Sequence, residues 1–440
     1  MAGAGDADAA AGVDAEIVVV GGGIAGLATA LALCRAGVAR HSGGGGVLVL
    51  ERHAELRATG AAMTIFPNGW FALRALGVAH KLTSRYDSYE ISKVTNLETG
   101  ATQVFRFAGD KDKGRRYWML DRKALLEALA EELPPGTIRF SSKLVSIDTE
   151  RAAGDDSSET VVLRLDDGAV IRTKVLIGCD GVHSVVARWL GLSEPLSSGR
   201  SCVRGLSTFP DGHSLKRELR QFLSPGLRAG MVPVSDTHVY WFLINDPIAA
   251  AEEDAAGDPV KTLREVTGNL AGHMPSEFLD VVRRSDHKNL SWAPLLYRSP
   301  VAIVTGTAAA RGGAVTVAGD AFHPMTPDMA QGGCSAMEDA VVLARALARA
   351  RASPAEGVAA YVAERRWRAA WMVAGAYLSG WVQQGGGSGA NARGVRRWLV
   401  KVFRDWVFYP FVFPRLADMM WFDCGDLETT CADDGKSHTE

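Results

Sequence analysis

At 440 residues, the chain is too long for one ordinary hydrophobic core, and its length predicts two or three subdomains. Hydrophobic residues make up 47% of the chain and charged residues 22%, which are the proportions of a globular protein with a large core. The 48 basic and 50 acidic residues nearly cancel, so the overall charge predicts no nucleic-acid partner and no attraction to an anionic membrane. A small molecule is the expected partner.

The six cysteines are scattered, without a C-x-x-C pair or the spacing of a zinc site, so we expect reduced, structural thiols and no metal. Residues 1–15 contain three aspartates but no lysine or arginine, unlike a targeting peptide, and they predict a disordered leader on a cytoplasmic protein. Residues 17–34 carry no charge, but the glycines within this run argue against a transmembrane segment.

The first structural unit is a β-α-β pattern. Residues 17–20 are a β-branched apolar run typical of a buried strand, residues 24–36 have helical spacing, and residues 47–50 form a second apolar run. A right-handed crossover with parallel strands is expected for such a unit.

The turn of this unit has the sequence Gly21-Gly22-Gly23-Ile24-Ala25-Gly26, which matches G-x-G-x-x-G between a strand and a helix. Gly21 permits the tight turn, Gly23 lets the backbone approach a pyrophosphate, and Gly26 permits close packing of helix and strand. Glu51 and Arg52 follow the second strand, where a carboxylate can bind ribose hydroxyls. A simple glycine-rich turn is the alternative for the motif alone, but its context favours a dinucleotide site. The motif does not say which dinucleotide.

The remaining elements are read from periodicity and turn residues. Strand patterns are expected at 218–223, 238–244 and 314–318, and helices at 123–132, 260–270 and 335–350. A mainly helical tail begins at Pro354 and is broken by glycines at 385–389.

Two later segments carry a family resemblance. Residues 175–184 (VLIGCDGVHS) and residues 319–327 (GDAFHPMTP), continuing to Gly333, resemble the Asp-Gly and Gly-Asp motifs of class A FAD-dependent monooxygenases. The resemblance covers roughly residues 16–365. Plant salicylate-hydroxylase-like and zeaxanthin-epoxidase-like members look most similar.

The resemblance implies an α/β fold: a Rossmann-type FAD-binding domain with an inserted antiparallel-sheet substrate domain and a helical C-terminal tail. The expected FAD-binding domain comprises residues 16–84, 108–198 and 299–352, and the substrate domain residues 85–107 and 199–298. Residues 353–440 form the expected helical C-terminal region.

The resemblance also assigns roles to individual residues. Asp180 and Gly181 would serve the FAD pyrophosphate and NAD(P)H, and Asp320 the ribityl hydroxyls. Further residues expected to bind the cofactor are Arg57, Arg122, Arg188, Gly319, Gly332 and Gly333. The residues expected to be catalytic are His323, Pro324 and Pro327.

Each of these roles has a structural alternative. Asp180 can be a turn former, His323 a buried hydrogen-bonded histidine, and the two prolines loop stiffeners.

The N-H groups of Gly332 and Gly333, before a helix expected from Ser335, can stabilise negative charge on reduced flavin.

Ala330 departs from the family, which often has glycine at this position before the Gln of its Gly-Gln-Gly segment. If the position needs a positive φ, alanine costs about 1 kcal/mol of strain.

The implied reaction reduces FAD with NAD(P)H and adds O2 at flavin C4a. The resulting C4a-hydroperoxyflavin would hydroxylate or epoxidise a small aromatic or polyene substrate in a cavity kept free of water. Phe222, Tyr240, Trp241 and Phe242 are candidates for the cavity wall, although strand alternation should send about half of them into the core. No substrate acid or base is evident from the sequence.

Two alternatives stay open. A flavin-fold protein that binds a lipid or protein partner without oxygenation is suggested by basic and aromatic residues of the tail: Arg393, Arg397, Lys401 and Arg404, with Trp398, Val402 and Trp406. The aromatic run 406–413 could close the cavity, mediate dimerisation or contact a membrane peripherally. A flavin reductase or desaturase on the same fold is the third hypothesis.

Overall fold

Two seven-stranded sheets, a small three-stranded sheet and a set of helices make up the residues that the computed structural model describes. These residues are 14–38, 46–57, 62–106, 117–151, 159–224, 226–246, 258–306, 314–384 and 395–427. The strands are β1 (Ala15–Val20), β2 (Val47–Leu50), β3 (Ala62–Ile65), β4 (Ser88–Tyr89), β5 (Ile91–Asn96), β6 (Thr102–Arg106), β7 (Tyr117–Asp121), β8 (Ile138–Arg139), β9 (Leu144–Arg151), β10 (Glu159–Leu165), β11 (Val170–Gly178), β12 (Leu196–Thr208), β13 (Leu219–Ser224), β14 (Leu227–Pro233), β15 (His238–Asn245), β16 (Ser291–Tyr297) and β17 (Val315–Val317).

The helices are α1 (Ile24–Arg35), α2 (Pro67–Ala75), α3 (Ala79–Thr83), α4 (Arg122–Ala130), α5 (Val185–Trp189), α6 (Pro259–Glu265), α7 (Ser276–Arg283), α8 (Pro300–Thr305), α9 (Gly332–Arg349), α10 (Pro354–Gln383), α11 (Val395–Phe403) and α12 (Phe413–Asp418). Wider π-helical turns follow α6 at Val266–Leu270 and α11 at Arg404–Val412.

The first sheet has the order β8-β2-β1-β11-β10-β9, and β17 pairs with the end of β11. Its central strands are parallel, with Val18 of β1 between Leu48 of β2 and Leu176 of β11. Residues 17–20 are buried on both faces, as their β-branched sequence requires, because helices cover the sheet. The predicted β-α-β unit is therefore confirmed. The strand β1 begins at Ala15, inside the predicted leader, and residues 1–13 lie outside the described part.

The second sheet has the order β16-β12-β15-β14-β13-β5-β6. Its neighbours are antiparallel except for β5 and β13, which pair in parallel. Strands from segments 85–107 and 199–298 thus share one sheet, while β4 pairs with β7 in the small sheet. The division into domains at the expected boundaries stays a prediction.

The tail is helical, as expected. Residues 385–394, which include the glycine-rich break and Arg393, lie outside the described residues, as do the side chains of Arg397 and Trp398. In the run 406–413, Phe408 is fully buried against Met372 and Leu416, whereas Trp406 and Phe411 are exposed. Within the described segments, no helix has the length and apolar composition that crossing a membrane requires.

A buried ion network joins helices α9 and α10. Nε of Arg365 donates to Asp339 at 2.7 Å, and its Nη1 donates to Glu338; all three side chains are fully buried. Burial alone would raise the pKa of Asp339, but His323 and Arg365 lower it to about 2. The ionised carboxylate therefore stabilises the fold at pH values above about 4, and this contribution is lost as the pH falls towards 2.

Replacing Arg365 with methionine should destabilise the protein by about 3–5 kcal/mol, because two buried carboxylates would lose a cation. Chemical denaturation at neutral pH measures the free energy of unfolding. Arg366→Met, at the next position of the same helix and outside the network, is the matched control and should cost much less. Equal losses in the two variants would contradict the importance assigned to the network.

Candidate functional site

The glycine-rich turn lies at the end of β1 and opens a cavity of about 1000 Å³. Gly21 has a φ of 108°, and a Cβ on Gly26 would lie 1.8 Å from the Gly21 carbonyl oxygen. These two positions therefore require glycine for the turn and for packing. A Cβ on Gly23 would meet nothing within 4 Å, so the space above Gly23 is open for a ligand. Ile24 and Ala25 also line the cavity, whereas Gly26 lies beneath the turn.

Glu51, at the end of β2, is hydrogen-bonded to the glycine-rich turn. Its carboxylate accepts hydrogen bonds from the backbone N-H of Gly22 at 2.7 Å and of His53 at 2.8 Å. A carboxylate has further lone pairs, so it can still accept from ribose hydroxyls. Arg52 and Arg57 are exposed and line the same end of the cavity.

Asp180 and Gly181 follow β11, beside the glycine-rich turn. One carboxylate oxygen of Asp180 accepts from the Val185 N-H at 2.7 Å, and the other, although buried, has no hydrogen-bond partner among the described residues. Burial raises the pKa of Asp180. The neighbouring His183 lines the cavity too, which the sequence reasoning did not anticipate.

Arg188 does not join this group. Its side chain is 60% exposed and pairs with Glu194 at 3.2 Å, outside the cavity lining. The expectation that Arg188 contacts the cofactor is not supported, because α5 directs this residue towards solvent.

The Gly-Asp segment places Asp320 at the cavity and Gly319 behind it. Gly319 has a φ of 60°, and a Cβ there would lie 2.7 Å from the Ala25 methyl group. Asp320 is exposed, lines the cavity and lies near Gly332. Arg122, the first residue of α4, faces the same space; burial lowers its pKa, and Asp320 opposes this effect.

Helix α9 begins three residues earlier than expected, at Gly332 and not at Ser335. Gly332 and Gly333 therefore form its first turn, where N-H groups have no partner within the helix. Both residues line the cavity, so this end of an 18-residue helix presents partial positive charge to it.

The three residues expected to be catalytic occupy different environments. His323 is fully buried, outside the cavity lining, and its Nε2 lies 2.6 Å from the Asp339 carboxylate. Pro324 is also buried behind the lining, and its carbonyl accepts from the Arg298 N-H at 3.0 Å. Neither residue is placed to touch a reacting group, so a direct catalytic role for them is not supported. Pro327 does line the cavity.

Ala330 adopts the left-handed conformation anticipated for a glycine-like position, with φ 51° and ψ 33°. It lies in the loop between Pro327 and Gln331, and it lines the cavity. The loop therefore keeps its geometry at a cost of about 1 kcal/mol.

The second sheet forms the far wall. Tyr240 and Phe242 of β15 line the cavity, whereas Trp241 and Phe222 are buried in the core on the other face. Strand alternation had predicted this division. Arg204, Gln221 and Arg228 share the wall but were missed as site residues.

The alternation of β12 could have predicted part of this wall, because Cys202 and Arg204, two positions apart, both line the cavity. The C-terminal region completes the cavity with residues that follow the aromatic run: Leu416, Ala417, Asp418, Met420 and Trp421.

Comparisons with known proteins agree with this geometry. The family described as "FAD binding domain" matches residues 14–376. Monooxygenase 2 of Arabidopsis thaliana is 37% identical over 431 residues, which cover 94% of this chain and 98% of the relative.

The chain belongs to the class A FAD-dependent monooxygenase family.

One further relative and one solved structure each match most of the chain. The 3-hydroxybenzoate 6-hydroxylase of Klebsiella oxytoca is 31% identical over 373 residues, covering 81% of this chain and 85% of that protein. The crystal structure of Klebsiella pneumoniae HpxO complexed with FAD and uric acid superposes with a TM-score of 0.75 at 22% identity, covering 92% of this chain and 96% of that one. This structural likeness supports the fold.

The residues fit FAD, the cofactor of this family. The open space over Gly23, the unpartnered oxygen of Asp180 and the first turn of α9 all face one cavity, which is large enough for a ligand of this kind. The carboxylate of Asp320 lines the same cavity, and one of its oxygens is 3.8 Å from the position of a Cβ on Gly332.

Gly23→Asp should abolish FAD binding without unfolding the protein. The new carboxylate would face the pyrophosphate, and like charges about 4 Å apart cost roughly 4 kcal/mol, or about three orders of magnitude in affinity. Flavin absorbance after desalting measures the bound fraction. Gly268→Asp, at an exposed glycine with open space around it, is the matched control and should retain FAD. Normal FAD content in Gly23→Asp would refute the assignment of the glycine-rich turn to the FAD pyrophosphate.

Asp320→Ala should weaken FAD binding by roughly 10- to 100-fold, the value of one or two lost hydrogen bonds to a charged group. Because Asp320 is exposed, the melting temperature of the apoprotein should barely change. Fluorescence titration of apoprotein with FAD tests the first point and thermal melting the second. Asp339→Ala, which removes a buried carboxylate, is the contrasting variant and should lower the melting temperature strongly. Unchanged FAD affinity with a lower melting temperature for Asp320→Ala would indicate a structural role.

Proposed function

We propose that this protein uses NAD(P)H and O2 to hydroxylate a small aromatic substrate held between bound FAD and the wall of the second sheet. The observation that carries the proposal is a single cavity lined by the glycine-rich turn, the Asp-Gly and Gly-Asp segments, the first turn of α9 and the aromatic face of β15. When bound, FAD supplies the redox chemistry that activates O2.

The protein residues bind the cofactor and stabilise its charge in this proposal. The glycine-rich turn and Glu51 bind the adenosine and pyrophosphate, and Asp180 lies beside them. Asp320 binds ribityl hydroxyls. The N-H groups of Gly332 and Gly333 stabilise negative charge on the reduced ring, because they combine unpaired donors with the positive end of a helix.

Exclusion of water is the task of the cavity walls. Leu416, Met420 and Trp421 of the tail contribute to the cavity wall, and Tyr240 and Phe242 provide an aromatic surface for the substrate. A dry site strengthens electrostatic interactions and suppresses unproductive release of peroxide. One relative is a 3-hydroxybenzoate 6-hydroxylase, which supports ring hydroxylation over epoxidation of a polyene.

Exposed aromatic side chains support a second candidate function, which is the binding of a lipid or protein partner. Trp367 and Trp371 of α10 are exposed, as are Trp406 and Phe411 of the π-helical turn after α11. Contiguous exposed apolar patches mark interaction sites, and these exposed aromatic side chains are available to such a patch in a flavin-fold protein that binds a lipid or protein partner.

Oxygenation is tested with the FAD-loaded protein, NADH or NADPH, and a panel of phenols, aromatic acids and polyenes. Oxidation of NAD(P)H should be slow alone and accelerate several-fold with a substrate, and the product should contain one oxygen atom from labelled O2. The FAD-free Gly23→Asp variant is the control for flavin-independent oxidation. Bound flavin with no stimulated turnover and no labelled product would favour the binding function.

A further inference from the structure

The guanidinium of Arg368, on α10, bonds both to the buried ion network and to the C-terminal tail. Its Nε and Nη2 donate to the two carboxylate oxygens of Glu338, each at 2.7 Å. Nη2 also donates to the backbone carbonyl of Met419 at 2.8 Å. The centroid of the Phe422 ring lies 4.2 Å from the guanidinium carbon, where a cation and an aromatic face attract each other. The tail therefore contacts Arg368 through one carbonyl and one ring.

The tail residues between these two contacts form part of the cavity wall. Met420 and Trp421 line the cavity, and they lie between Met419 and Phe422 in the chain. Met420 is buried and belongs to the apolar cluster beside α10. The turn Met419–Trp421 also packs against α2. Two wall residues are thus held between the points at which the tail contacts Arg368.

Further contacts fix the tail on either side of Arg368. Before it, a Cβ on Gly375 of α10 would lie 2.7 Å from Leu416 and 3.1 Å from the sulfur of Met329, so helix and tail approach closely. Leu416 and Met329 both line the cavity. After it, Arg345 of α9 donates to the carbonyl of Cys424. The contacts with Arg368 lie between these two attachments.

The opposite side of Arg368 connects to the helix end that faces the cavity. Glu338 accepts from Asn68 at 2.6 Å, and Asn68 donates to Gln331 at 2.8 Å. Gln331 immediately precedes α9, whose first turn lines the cavity. Arg365 also pairs with Glu338 but has no hydrogen bond to the tail among the described residues. Arg368 is thus bonded to the tail and, through Glu338, linked to the start of α9.

We propose that Arg368 is a positioning residue that holds the tail wall and the first turn of α9 in register, so that the cavity which both of them line stays closed to water. The inference rests on the proposed function for the bound flavin that this closure protects. Arg368 lies outside the cavity lining, so it acts through Met420 and Trp421. Closure affects the reaction because an open site releases peroxide in place of product.

Closure is measured on the oxidised, FAD-loaded protein without NAD(P)H, as the quenching of flavin fluorescence by acrylamide. This neutral quencher must reach the flavin to act. Arg368→Met should raise the quenching constant several-fold, because the tail would lose both the bond to its carbonyl and the cation beside its ring. Arg366→Met, on the same helix and without a hydrogen bond to the tail among the described residues, is the matched control and should leave the constant unchanged.

Two further variants separate closure from stability, because Arg368→Met also removes a cation from the buried Glu338. Phe422→Leu keeps the ion pair and removes only the ring, so it should raise the quenching constant with little change in melting temperature. Arg368→Lys keeps the cation without the planar fork that reaches both carboxylate and carbonyl. It should recover most of the melting temperature and only part of the closure. FAD content is measured for each variant.

Two results would overturn the inference. The quenching constant of Phe422→Leu could equal that of the wild type, a result that is decisive even where Arg368→Met fails to fold. Alternatively, the quenching constant could follow the melting temperature across all variants, which would make Arg368 a structural residue only. Because quenching needs no turnover, absence of labelled product with the expected quenching would refute oxygenation alone. Labelled product with unchanged quenching would refute the role of Arg368 alone.

Discussion

The hydrogen bonds and the ion pair of the Asp339 carboxylate position the Gly-Asp segment at the cavity. This carboxylate accepts a hydrogen bond from the N-H of Gly319 at 2.9 Å and lies 2.6 Å from Nε2 of His323. It also forms an ion pair with Nε of Arg365 at 2.7 Å. One fully buried group therefore joins the turn after β17, the loop that follows it, and helices α9 and α10. Such a group must be completely paired, because a buried carboxylate that loses its partners is strongly destabilising.

The same network extends to the start of α9. Glu338, beside Asp339, accepts from Asn68 of α2, and Asn68 also donates to Gln331 at 2.8 Å. Gln331 is the residue immediately before the helix. The first turn of α9, which faces the cavity, is thus positioned by hydrogen bonds from behind. His323, which the motif predicts to be catalytic, is bonded to Asp339 in this network and lies behind the cavity lining.

Several positively charged groups reach the cavity surface. The N-terminus of α9, Arg122 and Arg204 reach the cavity from three different elements, and Arg228 adds a guanidinium bonded to Asp328. Such groups would stabilise negative charge on a bound cofactor. The strength of this effect depends on excluding water, which links the electrostatics to the C-terminal residues that close the cavity.

By itself, the sequence determined the parts that depend on local backbone chemistry: the buried strand of residues 17–20, the glycine-rich turn, and the order of the three motifs. Strand alternation also predicted that an aromatic run would divide between cavity and core. Only the tertiary structure decided which side chains meet across long sequence separations. It paired His323 with Asp339, directed Arg188 to solvent, and brought Arg204 to the cavity. Local spacing specifies the backbone of an element, but the partner of a side chain is decided by how the elements pack.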